Sequence, residues 1–172
     1  MITIRNPDAC QSRTVIAGEA MTVGQVVYLA QAATKGDPCK VMLAGATELG
    51  DPTVVKGVVA FVPDDSEAVD FTISTDGLDT LTVNAGSDGT TAIALGALCT
   101  FWYDKPVIGF HSSAVDAALD FAVIREGGKV AFDGDSSKLA DYNAGGVDGT
   151  EDFMGVVYQH EGAEITVAFT SI

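Results

Sequence analysis

The sequence predicts an all-β chain, a β-barrel or β-sandwich with an N-terminal arm and at most one short helix. Three observations lead there. Gly, Ala and Val make up over a third of the 172 residues, while Leu and Lys are sparse, a balance that suits strands joined by tight turns. Runs of β-branched and aromatic residues recur, roughly a dozen at spacings of about 8 to 15 residues, with turn-forming residues between them. Helical periodicity surfaces in a single segment.

Residues 1–13 read as the arm: Ile2 and Ile4 alternate with Thr3 and Arg5 until Asn6-Pro7-Asp8 breaks the run. Residues 14–172 are expected to form one β-domain. Gln25-Val26-Val27-Tyr28-Leu29-Ala30 follows Gly24, and Lys40-Val41-Met42-Leu43-Ala44 follows the turn Lys35-Gly36-Asp37-Pro38. Residues 54–62 are an almost continuous β-branched run closed by Pro63-Asp64-Asp65. Val69, Phe71 and Ile73 alternate with Asp70 and Thr72, and Thr80-Leu81-Thr82-Val83 continues after Asp76-Gly77. Ser112-Ser113 is placed to cap a short helix or turn near residues 113–119, since Val115, Ala118, Leu119 and Ala122 have helical spacing. A hairpin is expected next, 121–124 against 129–132, joined by Arg125-Glu126-Gly127-Gly128. The order of elements repeats weakly, giving pseudo-repeats at 14–84 and 90–172, the second with insertions around 106–120 and 134–150.

Composition bounds the function. A formal net charge of −15 repels phosphate backbones and anionic bilayers, so neither a nucleic-acid nor a membrane partner is expected. The uncharged stretch at 89–103 is too short to cross a bilayer. Cys10, Cys39 and Cys99 are an odd number with no CxxC spacing, and the first eight residues carry no apolar run. The thiols are therefore expected to be reduced and the chain made in a cytoplasm.

The residues of chemistry are few. His111 and His160 are the two histidines, both expected in exposed loops, and no serine sits in a Gly-x-Ser-x-Gly elbow. Gly145-Gly146-Val147-Asp148-Gly149 lacks the Lys-Ser/Thr of a phosphate loop. Asp133-Gly134-Asp135-Ser136-Ser137 with Asp141 resembles a calcium loop, but Lys138 stands where glycine is needed and Ala144 where a bidentate glutamate is needed. No catalytic residue, metal site or cofactor is therefore expected. Phe101-Trp102-Tyr103 would stack on sugars only if Trp102 were exposed; a core Trp is the expectation.

The segment from Ala17 to Leu29, with Gly24-Gln25-Val26-Val27-Tyr28 at its centre, resembles the opening of small phage capsid decoration proteins. Gly57-Val58-Val59-Ala60, Gly155-Val156-Val157 and the alternating Glu164-Ile165-Thr166-Val167-Ala168-Phe169 fit later strands of that family. The pattern spans most of the chain and is loose, being shared with many β-rich tail and fibre proteins. The arm before Val15 and the two insertions depart from it. The resemblance implies a non-enzymatic head auxiliary or cement protein on the outer surface of an icosahedral virion, commonly trimeric, with the major capsid protein as partner. The alternative is a sugar- or receptor-binding β-module of a phage fibre, spike or adhesin.

Two further expectations follow. Val54-Val55 and Val58-Val59 place apolar side chains on both faces of one strand, so both faces should be covered, by a second sheet or by a neighbouring subunit, and the latter agrees with a homotrimer. Arg5 and Arg13, two of the three arginines, lie in the arm with one acidic residue. The arm could fold back on its acidic body, or extend and add Ile2 and Ile4 as a strand to the partner, with Arg5 and Arg13 setting register. Ile2, Ile4, Arg5 and Arg13 are accordingly the candidate partner-binding residues.

Overall fold

The structure, a computed structural model, describes residues 2–61, 69–73, 79–83, 92–142, 155–170 and 172. The expected turns at Pro63-Asp64-Asp65 and Asp76-Gly77, the glycine-rich run at 145–149 and Ala144 lie outside the described residues. The strands in chain order are β1 (Ile2–Ile4), β2 (Gln11–Ala17), β3 (Met21–Thr22), β4 (Val26–Ala30), β5 (Lys40–Leu43), β6 (Lys56–Phe61), β7 (Val69–Ile73) and β8 (Asp79–Val83). They continue with β9 (Ala92–Ile93), β10 (Leu98–Tyr103), β11 (Val107–His111), β12 (Lys129–Phe132), β13 (Leu139–Asp141), β14 (Gly155–Glu161) and β15 (Glu164–Phe169). One short helix, α1 (Ala46–Gly50), and a 3-10 turn at Ser112–Ala114 interrupt them.

The all-β expectation holds: strands far outweigh helix, and five of them form a closed barrel. The barrel runs in the order β10-β2-β5-β4-β6, and an open eight-stranded sheet runs β13-β12-β14-β15-β11-β1-β8-β7. One cluster of buried side chains runs through both, from Val27, Val41 and Phe101 of the barrel to Ile2, Phe110, Phe132 and Val167 of the sheet. Phe169 stacks on Phe132 with ring centroids 5.5 Å apart and meets Phe110 edge-on at 6.0 Å, geometries that aromatic quadrupoles favour.

The pseudo-repeat boundary does not separate the two sheets. β10 closes a barrel otherwise made from the first half, while β1, β7 and β8 complete a sheet otherwise made from the second. Val58 and Val59 are both fully buried. Their burial is achieved within this single chain, so it gives no support to the trimer.

Local chemistry explains the other departures. The expected helix near 113–119 reduces to the 3-10 turn, whose cap is His111, the ring nitrogen accepting from the Ser113 amide. The expected hairpin does not form; β12 pairs with β13 and β14 instead. Residues 121–124 are held as turns because Asp120 takes the nearby donors. Its carbonyl accepts from the Val123 and Ile124 amides, and its carboxylate from the Ala122 amide. The Arg125 guanidinium then ties down the Ala122 and Ile124 carbonyls.

Helix α1 was not expected. It is anchored at its start by the Gly45 amide donating to Glu48 Oε2 at 3.1 Å, half of a capping box. At its end Lys56, only 6 % exposed, donates from Nζ to the carbonyls of Leu49 and Asp51 at 3.2 and 2.8 Å. A cation on the last carbonyls of a helix satisfies groups that have no partner within it.

Candidate interaction surface

The N-terminal residues lie within the body. β1 pairs with β11 on one side, Ile2 opposite Phe110 and Ile4 opposite Ile108, and with β8 on the other. Ile2 and Ile4 are fully buried. Arg5 is ion-paired with Glu164 through Nη2 at 2.8 Å. That pairing relieves the repulsion between Glu164 and Glu161, which face each other across the β14–β15 hairpin. Asn6 accepts from the Val107 amide at 2.6 Å through Oδ1 and donates to the Lys105 carbonyl at 3.2 Å through Nδ2. Of the two arrangements open to the arm, residues 2–6 here take the folded-back one, as an interior strand and its tether. Both edges of β1 are occupied, so it has no free ladder to offer another molecule in this conformation.

Arg13 is placed differently. It lies exposed on β2, opposite Phe101 of β10, with Nη2 3.5 Å from the Cys39 sulfur. β2 pairs with β10 along its whole length, from Gln11 opposite Tyr103 to Ile16 opposite Leu98. On its other side it meets β5 only at Ile16 and Ala17, in parallel. The barrel is thus closed at one end and splayed at the other. Ala17 donates toward the β10 side, to the Ala97 carbonyl, and Gly18 toward β5, to the Val41 carbonyl. Backbone groups alternate in direction along a strand, so Ser12 and Thr14 present theirs to the splayed side. Among the described residues no strand is paired with them there. Near this barrel wall is a cleft of about 370 Å³ lined by Ala30, Ala32, Ala33, Pro38, Lys40 and Met42, among others.

No family model matches the chain, and no curated protein matches it in sequence. Among solved structures, the head fiber gp8.5 N base of bacteriophage phi29 is similar with a TM-score of 0.47 and 13% identity, covering 94% of this chain and 95% of that one.

The remaining candidates are occupied by structural duties. The Asp133 carboxylate accepts from the Ser136 amide at 2.9 Å and, more distantly, from the Asp135 amide. Burial opposes its ionisation, but these hydrogen bonds and that of the Ser136 hydroxyl outweigh it and lower its pKa. The turn so formed docks on the barrel: Ser137, buried and at φ 55, donates to the Ala44 carbonyl, and Gln25 donates to the Ser136 carbonyl at 2.7 Å. Both histidines end up half-buried on strands rather than in exposed loops, His160 with its ring edge-on to Phe121. Trp102 is 8 % exposed, whereas Phe101 and Tyr103 stack on each other at 5.1 Å, as strand alternation requires. Burial pushes the Cys10 and Cys99 thiols up to about 11.

Sequence reasoning missed the edge at Ser12 and Thr14. A signal for it was present: the turn Lys35-Gly36-Asp37-Pro38 directly precedes β5, and the ladder between β2 and β5 goes no further back than Lys40.

Proposed function

We propose that this protein is a non-enzymatic structural component of a phage virion that decorates and cements an icosahedral capsid, acting as a homotrimer bound to the major capsid protein on the outer surface. One observation carries the reading. The sequence elements on which the family resemblance rests pair two by two: Val26 with Val58 and Val27 with Gly57 make Gly24-Gln25-Val26-Val27-Tyr28 and Gly57-Val58-Val59-Ala60 adjacent in the barrel, and Gly155-Val156-Val157 pairs with the strand 164–169 in the open sheet. The acidic surface suits a protein exposed on a particle. The sugar-binding alternative loses its best platform, because the Trp102 face is enclosed.

The test is sedimentation with emptied heads of the phage that encodes the chain, followed by imaging. Regular loading over the shell and a raised rupture temperature are the expected results. Failure to load overturns the reading, and density confined to fibres replaces decoration by the fibre-module alternative.

A further inference from the structure

We propose that the open edge of β2, at Ser12 and Thr14, receives an extended acidic strand of the partner protein. The inference rests on the capsid-binding reading and names its contact.

The backbone argument comes first. Outward-pointing amide and carbonyl groups on two alternate residues are a template for one more strand, and main-chain pairing gives affinity with little demand on sequence. The protein's own chain does not fill the position: the ladder between β5 and β2 begins at Lys40, after the turn at 35–38. Gln11, Ser12, Arg13 and Thr14 are all exposed.

Charge then selects the occupant. The chain carries nine basic residues against 24 acidic ones. Arg13 sits on the open strand, Lys40 begins the strand beside it, and Lys35 belongs to the loop whose residues line the neighbouring cleft. An incoming carboxylate can take the fork of Arg13 bidentately. Asp37, the acidic residue of the cleft, is turned to the Thr34 amide of its own loop. A second copy is a poor occupant. Antiparallel pairing of two β2 edges would set Arg13 near its own counterpart, the arrangement by which edge strands discourage self-association. The cleft lined by Ala30, Ala32, Pro38 and Met42 suits small apolar side chains on the incoming segment.

The experiment is quantitative loading of the full chain on emptied heads, with Arg13→Glu and Thr14→Pro beside the wild type. Hydrogen exchange over residues 11–16 is read in free and loaded protein. Free protein should show fast exchange at Ser12 and Thr14 and protection at Arg13 and Val15. Loading should slow the first pair, and each variant should weaken binding by about tenfold or more. Thr14→Pro removes a donor that faces away from β10; if it nevertheless fails to fold, Arg13→Glu, which leaves the ladder intact, decides the matter. Undiminished loading of a folded Arg13→Glu variant, or unchanged exchange at Ser12 and Thr14 on loaded heads, overturns the inference while leaving the capsid reading intact. Self-association that Thr14→Pro abolishes makes a second copy the occupant and also overturns it. Wild-type protein that does not load removes the capsid reading and this inference together.

Discussion

Gly57 has no room for a methyl group. A Cβ there would lie 2.5 Å from the Trp102 carbonyl oxygen and 2.6 Å from Phe101 Cδ2, and backbone cannot move aside as a flexible side chain would. Gly57→Ala should lower stability by about 1–3 kcal/mol, read from the denaturant midpoint. Lys56 makes a complementary case. Replacing it with Met strips the carbonyls of Leu49 and Asp51 of a charged donor and should cost about 1–3 kcal/mol in the same assay. The cysteines give a pH prediction. Cys10 and Cys99 hold their protons more tightly folded than unfolded, because burial raises both from 9.0 to about 11. Their contribution to stability is complete below pH 9 and is lost as pH rises from about 9 to 11. Equilibrium unfolding should therefore show stability falling across that window, and less steeply in a Cys99→Ala variant. Gly57 was visible in the sequence as part of a repeated pattern; that Phe101 and Trp102 press against it follows only from a pairing between distant strands.

At the scale of elements, β1 and the 133–138 turn are the ties between the barrel and the open sheet. Ile4 lies in a strand with neighbours on both sides and is fully buried, so Ile4→Ala should destabilise the fold by about 2–5 kcal/mol. Deleting residues 1–13 should yield an unstable or insoluble product rather than a folded core lacking an attachment arm. Circular dichroism of the truncated chain distinguishes the two. The alternation of Ile2 and Ile4 was legible as a strand, but a short strand carries no mark of whether its ladder belongs to its own body or to another molecule. The segment at 112–128 was harder still. Val115, Ala118, Leu119 and Ala122 have helical spacing, yet Asp116 and Asp120 each draw a nearby amide to their side chains, and those local bonds compete with a helix. The capping of α1 by Lys56 spans eight residues from Glu48 and was likewise hidden.

For the whole molecule, the strand-rich composition and turn spacing made the β class readable, because side-chain alternation is a local property. The division into barrel and open sheet was not, because it depends on which strand pairs with which. Oligomeric state is a property at this scale. The trimer of the proposed function predicts a light-scattering mass three times that of the 17.7 kDa chain at micromolar concentration, and a monomeric mass there contradicts it.

The crossing of β10 into the barrel and of β1 into the open sheet has a kinetic consequence. Thr14 waits for Thr100, a separation of 86, and Asn6 for Val107, a separation of 101. Neither sheet can close while the second half of the chain is still inside the ribosome, so nascent strands must stay soluble without their partners. Loop closure over such spans slows the search, and folding is expected on the millisecond-to-second scale of β-proteins with non-local topology. The acidity then matters before assembly as well as after it: like charges keep unfinished chains apart until the last strands emerge.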